Sequence, residues 1–432
     1  MTTATAPARY QGFAAMPVAG RWRPGSSGKT GADLDPWSGD TLTEIPLASA
    51  GDLDEAFRAA SEAQPQWAAQ PPAARAGVMR AAADVMTARK EEVTSWLVRE
   101  SGGTVAKAEL EWSLVRSVLW EASSMPHHVT GSIRPSDIPG KESRVYRQPA
   151  GVAAVISPWN FPLQLSNRSV APALATGNAV VLKPASDTPV TGGLLLAKIY
   201  QEAGLPPGVL SVVAGSGSEI GDAIVSHPAA RVVSFTGSAA VGEGIARQAG
   251  IRKLALELGG NGPLVVLDDA DLDRAVDAAV FGSFFHQGQI CMIANRIIVD
   301  STVYDEFTER FVQRVSGLQA GDPSDPATDI GPVITVIRAE GEEDALRIAN
   351  DTEYGLSSAV FTRDADRGVR FALRIEAGMT HVNDSPVNDD ANTAFGGSKA
   401  SGIGRFGGPW AVEEFTTDHW VSVQHEPRSF PI

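Results

Sequence analysis

From about residue 145 onward the chain alternates short, almost wholly apolar runs with helical stretches, and this alternation constrains the fold more than any other feature. The runs are GVAAVIS (151–157), NAVVLKPA (178–185), VLSVVAG (209–215), RVVSFTG (231–237), KLALELGG (253–260) and GPLVVLDD (262–269). Between them lie LSNRSVAPALATG (165–177), TGGLLLAKIYQEAG (191–204), SEIGDAIVSH (218–227) and SAAVGEGIARQAG (238–250). A strand apolar on both faces must be covered on both faces, and a helix between successive strands supplies that cover. The pattern therefore predicts an α/β fold built on a mainly parallel sheet.

The first part of the chain reads differently. Residues 1–50 are rich in Gly, Pro and turn residues and read as an extended arm with short strands. Asp52 is placed to cap a helix over LDEAFRAASEAQPQW. Further helices are expected over 72–87, 90–101 and 105–124. SRVYRQPAG (143–151) and DHWVSVQHE (418–426) alternate like half-exposed strands suited to pairing across subunits. A length of 432 residues suggests two or three domains at roughly 150 residues each.

Composition removes several classes of function. With 36 basic and 51 acidic residues the net charge is −15, which disfavours binding a phosphate backbone, so no nucleic-acid partner is expected. One cysteine excludes a disulfide framework and a cysteine-cluster zinc site, and no metal is expected. The start, MTTATAPARYQGF, lacks a secretory pattern, and no apolar run reaches the ~18–20 residues of a membrane span. The expectation is a cytoplasmic enzyme acting on a small molecule, without a membrane partner.

Three residues stand out as chemistry. Cys291, in FFHQGQICMIANR, is either a buried structural thiol or a nucleophile; Gly288 upstream allows close backbone approach, and Gln287 and Gln289 interrupt an apolar run. Glu257 ends the run KLALE and is either an exposed strand-end charge or a general base. The carboxyl ends of strands are where open α/β sheets place their sites, which favours the second reading. Asn160, between Pro158 and Pro162, is a turn residue or a stiffly held oxyanion donor. Two glycine patterns follow strands and open helices, GSGSEIG (215–221) and FTGSAAVG (235–242), and either could cradle a dinucleotide's phosphates. Lys183 could pair with ribose or phosphate, or be a solvated lysine.

Together PWNFP (158–162), GNAVVLKPAS (177–186), FTGS (235–238), LELGGN (256–261), GQIC (288–291) and FGGSKASGIGR (395–405) resemble the aldehyde dehydrogenase superfamily, in family order over nearly the whole chain. The resemblance implies a Rossmann-like cofactor-binding domain (1–128 and 149–258), an α/β catalytic domain (259–408) and a small β oligomerisation arm (129–148 and 409–432). It implies Cys291 as nucleophile, Glu257 as general base and Asn160 as oxyanion donor. For NAD or NADP it implies Lys183 at the adenosine ribose and Trp159 and Ser238 at the pyrophosphate, making FTGS the phosphate site. Ile156, Ser157, Ser186, Gly217, Gly221, Phe235, Gly237 and Leu258 complete the implied cofactor cleft. Ser186 stands where many NAD-preferring members carry Glu; serine does not repel a 2′-phosphate, so NADP is expected to be tolerated. A homodimer or homotetramer is implied as well.

QGQICM (287–292) and HVNDSPVNDDANTAFGGSKASG (381–402) are most similar to bacterial benzaldehyde and vanillin dehydrogenases, which implies an aromatic aldehyde as substrate. Phe161, Trp112 and Phe406 are candidates for the pocket wall. Arg168 is either a contact for a ring substituent or, the favoured reading, a surface salt bridge, and His286 is read as structural.

The chain departs from the family in one place. It is short by roughly fifty to sixty residues on a length prior. PATDIGPVI (326–334) runs directly into TVIRAEGEEDALRIANDTEYGLSSAVF (335–361), so an internal segment is missing near 334/335. The family's Glu-x-Phe-Gly-Pro loop, which holds the nicotinamide ribose, falls in that segment. A cofactor-impaired thiol esterase, or a non-catalytic oligomeric relic, are the competing readings.

Overall fold

The computed structural model describes residues 7–329 and 334–430. GPV of the expected junction (331–333) lies outside them.

The apolar runs form two sheets. The first has six strands in the order Gly402–Ile403, Lys253–Glu257, Ala230–Thr236, Val152–Ile156, Ala179–Lys183 and Leu210–Val212. The last five are mutually parallel, and Gly402–Ile403 is added antiparallel to Lys253–Glu257. The second has five parallel strands in the order Thr335–Ala339, Ala294–Asp300, Gly262–Val266, Ser357–Phe361 and Met379–Val382. Strands such as Ala179–Lys183 and Ser357–Phe361 are buried along their whole length, as two covered faces require.

The helices Ala50–Ala68, Pro72–Ala88, Lys90–Ser101 and Val105–Ala122 precede the first sheet. The first of them starts differently from the expectation. Ser49 is its N-cap, and Asp52 sits three residues in. The Ser49 hydroxyl accepts from the Asp52 N–H at 3.2 Å, and the Asp52 carboxylate accepts from the Ser49 N–H at 2.7 Å. This reciprocal box satisfies two orphan donors where Asp52 alone would satisfy one.

A third, antiparallel sheet joins Ser132–Arg134, Lys141–Pro149 and Thr416–Gln424. The two long strands expected to pair across subunits are each other's partners within this chain, over nine residue pairs. Their backbone groups are thereby satisfied internally. The C-terminal part also reaches further into the first unit than expected. Gly402–Ile403 lies in its sheet, and Phe406, Ala411, Val412 and Phe415 lie in its hydrophobic core.

Asn178 ties that core to the C-terminal strand. Its side-chain amide donates to the carbonyls of Ala173 and Phe415 and to the Thr176 hydroxyl, and its oxygen accepts from the Gly151 N–H at 2.8 Å. Asn178→Leu would leave these groups buried and unpaired. A loss of roughly 2 to 4 kcal/mol is expected, read as a lowered denaturant midpoint.

Candidate active site

The carboxyl end of Lys253–Glu257 and the start of Gly262–Val266 are joined by Leu258–Gly259–Gly260–Asn261, so one short link connects the two large sheets. A Cβ on Gly260 would lie 2.3 Å from the Cys291 carbonyl oxygen, so only glycine fits there. The Cys291 loop itself is bent by three consecutive left-handed residues, His286 (φ 50°), Gln287 (φ 54°) and Gly288 (φ 71°). Two of these carry side chains, and such conformations cost of order 1–3 kcal/mol each and concentrate at functional sites.

Glu257 is 3% exposed, and neither carboxylate oxygen has a hydrogen-bond partner among the described residues. The exposed-charge reading of this residue is therefore excluded. Burial pushes its pKa up to about 8; Arg168 and Arg405 pull it down and Asp389 and Glu414 push it up. FGGSKASGIGR holds this strand end from the other side. Leu258 N–H donates to the Ser401 carbonyl at 3.0 Å, and a Cβ on Gly402 would collide with the Leu256 carbonyl at 1.9 Å.

Cys291 is half-buried, and its thiol is pushed up to about 12 by burial and then by the neighbouring Glu257 charge. Asn160 donates one amide hydrogen to the Gln289 carbonyl at 2.8 Å. That bond anchors the amide beside the cysteine loop and leaves its second N–H for another acceptor. Cys291, Asn160 and Phe161 line one cavity of about 180 Å³ together with Leu110, Leu114, Gln164, Leu165, Phe281, Ile290, Met292, Val387, Asn388, Asp389 and Phe395. The cavity is largely apolar, with a polar side formed by Gln164, Asn388 and Asp389.

Of the three aromatic wall candidates only Phe161 lines this cavity. Trp112 turns away and donates to the Met86 carbonyl at 2.8 Å, and Phe406 is core, 1% exposed. Phe281 and Phe395 take those places. Phe395 opens a motif already singled out; Phe281 lies on the helix Leu272–Phe284 and carries no sequence signal that separates it from core. Arg168 is not a surface residue. It is 5% exposed, paired with Asp389, and stacked 3.7 Å from the centre of the Phe395 ring. His286 is buried against the edge of Phe161 and held neutral, its pKa pushed down to about 2 by burial and by the charge of Lys107.

The remaining residues lie along the carboxyl ends of the first sheet. Lys183 is buried rather than solvated; its single hydrogen bond, 3.3 Å to the Pro184 carbonyl, leaves ammonium donors unused, and burial lowers its pKa. Ser186 and Trp159 line a second cleft of about 530 Å³ with Asp187, Thr188, Gln287 and Gln289. Ile156 ends its strand, and the Ser157 N–H donates to the Lys183 carbonyl at 3.2 Å. Phe235 and Leu258 are buried beneath the FTGS turn: a Cβ on Gly237 would meet the Phe235 ring at 2.4 Å, and one on Gly242 would meet Leu258 at 2.3 Å. Ser238 caps the helix Ala239–Gln248, its hydroxyl accepting from the Val241 N–H at 3.4 Å. Gly217 and Gly221 sit beyond the edge strand Leu210–Val212, with open space around both. The unused Lys183 donors and the glycine cradle at 237 and 242 fit a dinucleotide. Among the described residues no metal-ligating cluster occurs, and no helix is long and apolar enough to cross a membrane.

The model of the aldehyde dehydrogenase family matches residues 22–335 and 330–421. A vanillin dehydrogenase of Corynebacterium glutamicum is 45% identical over 468 aligned positions, covering 94% of this chain and 97% of the relative. A benzaldehyde dehydrogenase of Bacillus subtilis is 44% identical, covering 96% and 98%. Among solved structures, an NAD-dependent benzaldehyde dehydrogenase from Corynebacterium glutamicum superposes with a TM-score of 0.89 at 42% identity, covering 96% of this chain and 98% of that one. A salicylaldehyde dehydrogenase from Pseudomonas putida, complexed with salicylaldehyde, superposes at 0.93 with 34% identity, covering 97% and 99%. The chain belongs to the aldehyde dehydrogenase family. It does so with an internal segment missing: 468 aligned positions exceed its 432 residues, and both family matches include 330–335, where the sequence places the junction.

Burial raises the Cys291 thiol most and the Glu257 charge adds to it, so removing that charge should ease ionisation of the thiol. Alkylation of the lone cysteine by iodoacetamide, without cofactor, is expected to rise with pH through 10 with no plateau. In Glu257→Gln it should be faster at pH 9. A wild-type plateau below pH 9, or a slower variant, would contradict this.

Proposed function

We propose that this protein oxidises an aromatic aldehyde to its carboxylic acid with NAD or NADP. The observation that carries the reading is the shared cavity, in which Cys291 and Asn160 meet walls formed by Phe161, Phe281 and Phe395. A flat ring fits such walls, and its aldehyde carbon comes to the thiol. The family and the names of its relatives support the same substrate class.

Cys291 gives up its thiol proton to solvent, and the thiolate sulfur adds to the aldehyde carbon. The free N–H of Asn160 and the Cys291 backbone N–H stabilise the oxyanion as it forms. The nicotinamide cofactor, when bound, accepts the hydride. Glu257 then takes a proton from the water that cleaves the thioester, and the acid leaves. Covalent attachment divides one difficult oxidation into two steps. Lys183, Trp159 and the FTGS turn with Ser238 hold the cofactor. Ser186 adds no charge against a 2′-phosphate, while Asp187 beside it lines the same cleft. The arm carries exposed Ile133, Tyr146 and Trp420, which suit contact with a second subunit in a homodimer or homotetramer.

A second reading, thiol esterase, is favoured by one observation. Cys291, Asn160 and Glu257 are all in place, whereas the missing segment is the one in which the family keeps its nicotinamide-ribose loop. Ester cleavage needs no hydride transfer.

Reduced-nicotinamide absorbance with benzaldehyde or vanillin and each cofactor, followed beside p-nitrophenyl acetate cleavage, decides between them. Oxidation is expected; ester cleavage alone would favour the second reading, and neither signal in folded protein would refute both. Cys291→Ala should abolish turnover. Glu257→Gln should lower kcat by roughly 10²–10⁴-fold and remove a rise in rate centred near pH 8, because the base works only when unprotonated. Ser186→Glu should reduce kcat/KM for NADP by about tenfold relative to NAD, an effect of the size of one repelled charge near a phosphate; an unchanged ratio would remove Ser186 from the cofactor site.

A further inference from the structure

A buried ion pair lies behind the catalytic segment. Lys107 and Glu111, one turn apart on the helix Val105–Ala122, have fully buried side chains with Nζ and Oε2 2.5 Å apart. Both also reach the chain around Asn160, Glu111 by hydrogen bonds and Lys107 by lying over the Phe161 ring. The second oxygen of Glu111, Oε1, accepts from the backbone N–H groups of Leu163 at 2.9 Å and Gln164 at 3.1 Å. These are the first-turn donors of the helix Pro162–Ala175, whose own N-cap residue, Phe161, offers no capping side chain. Lys107 donates to the Ser101 hydroxyl at 3.1 Å and sits 4.6 Å from the centre of the Phe161 ring. The same ring meets the edge-on His286, five residues before Cys291, and packs in the apolar cluster with Leu165 and Ile290.

A helix start normally draws its cap from its own chain neighbours. Here the cap comes from a different helix, and the charge that makes it strong is neutralised by a cation placed against the next side chain along. Removing both groups would leave the helix in place but let its first turn, and Asn160 two residues before it, shift relative to Cys291. A shift on the order of 1 Å at a reacting centre can cost about 10²-fold in rate.

We propose that Glu111 and Lys107 are positioning residues for the oxyanion donor: Glu111 fixes the backbone that carries Asn160, and Lys107 fixes Phe161 between itself and His286. The inference rests on the reading of Asn160 and Cys291 given above. Neither residue touches substrate.

The test compares Glu111→Leu, Glu111→Gln and the double variant Lys107→Met with Glu111→Gln, each normalised to folded protein by thermal melting. Two reactions are read, benzaldehyde oxidation and p-nitrophenyl acetate cleavage, since both need the oxyanion donor and only one needs hydride transfer. Glu111→Leu should lower kcat tenfold or more in both, with KM for aldehyde changed less than threefold. Glu111→Gln keeps an acceptor for Leu163 and Gln164 and should recover most of the loss. In the double variant the cap survives and Phe161 is released, so KM for benzaldehyde should rise more than kcat falls. Glu111→Leu rates within threefold of wild type would overturn the proposal, as would a crystal structure of that variant with Asn160 unmoved. If the wild type oxidises no aldehyde, the proposed function fails by itself, and the ester rates and the position of Asn160 still decide the role of Glu111.

Discussion

The constraint that shapes the site is the close approach of Gly260 to the Cys291 backbone. The two large sheets meet there, and a single methyl group on Gly260 would occupy the space of the Cys291 carbonyl oxygen. Every functional placement follows from that contact. It sets the cysteine loop against the strand end that carries Glu257, and it demands the sharp left-handed turn through His286, Gln287 and Gly288 by which the loop returns to the Ala294–Asp300 strand. The same turn delivers the Gln289 carbonyl that anchors Asn160. Cys291, Glu257 and Asn160 thus come from three separate stretches, and no hydrogen bond among the described residues joins their side chains to one another.

That arrangement explains the charge state of the site. Glu257 accepts no hydrogen bond from the described residues, and burial, outweighing the pull of Arg168 and Arg405, raises its pKa to about 8. Burial and then the neighbouring carboxylate push the Cys291 thiol higher still. Arg168 lowers both groups, and Asp389, paired with it, raises both. A carboxylate left without partners is free to take a proton from water, which one locked in a salt bridge is not. The low stability of the charged base is the condition of its use.

Much of this was legible in the sequence, for physical reasons that differ by residue. The sheets were legible because strands apolar on both faces leave an unmistakable pattern. Glu257, Asn160 and Cys291 each stood open between a bland and a functional reading, and the family motifs that carry them singled them out together; the structure brings Cys291 and Asn160 to one cavity. The aromatic wall was not: Phe161 adjoined a motif, but Trp112 and Phe406 are as aromatic as Phe281 and Phe395, and only the packing of distant segments decides which face the cavity. Arg168 misled for the same reason, since its partner Asp389 is more than two hundred residues away. The strands 143–151 and 418–426 showed correctly that they pair, but alternation carries no information about which chain supplies the partner.

The missing segment is the remaining puzzle, and the second sheet shows why the fold tolerates its loss. Ala294–Asp300, the helix Tyr304–Val315 and Thr335–Ala339 form a closed βαβ unit, with five residues of Thr335–Ala339 in parallel register against Ala294–Asp300. Phe307 and Phe311 from that helix fill the core beneath. A parallel pair needs only a crossover of a dozen or more residues, and the chain from Asp300 to Thr335 supplies it without the segment. The new edge is guarded by charge, Arg338 pairing with Asp305 at 2.7 Å, which discourages edge-to-edge pairing. The strands and helix of this unit are all present, and under the proposed function the loss falls on the nicotinamide side of the cofactor. Lys183 and the FTGS turn can hold the adenosine and pyrophosphate, but a cofactor tethered only there samples orientations of its ring that a second anchor would exclude. The cost should fall on hydride transfer and spare the steps that Cys291, Asn160 and Glu257 perform by themselves.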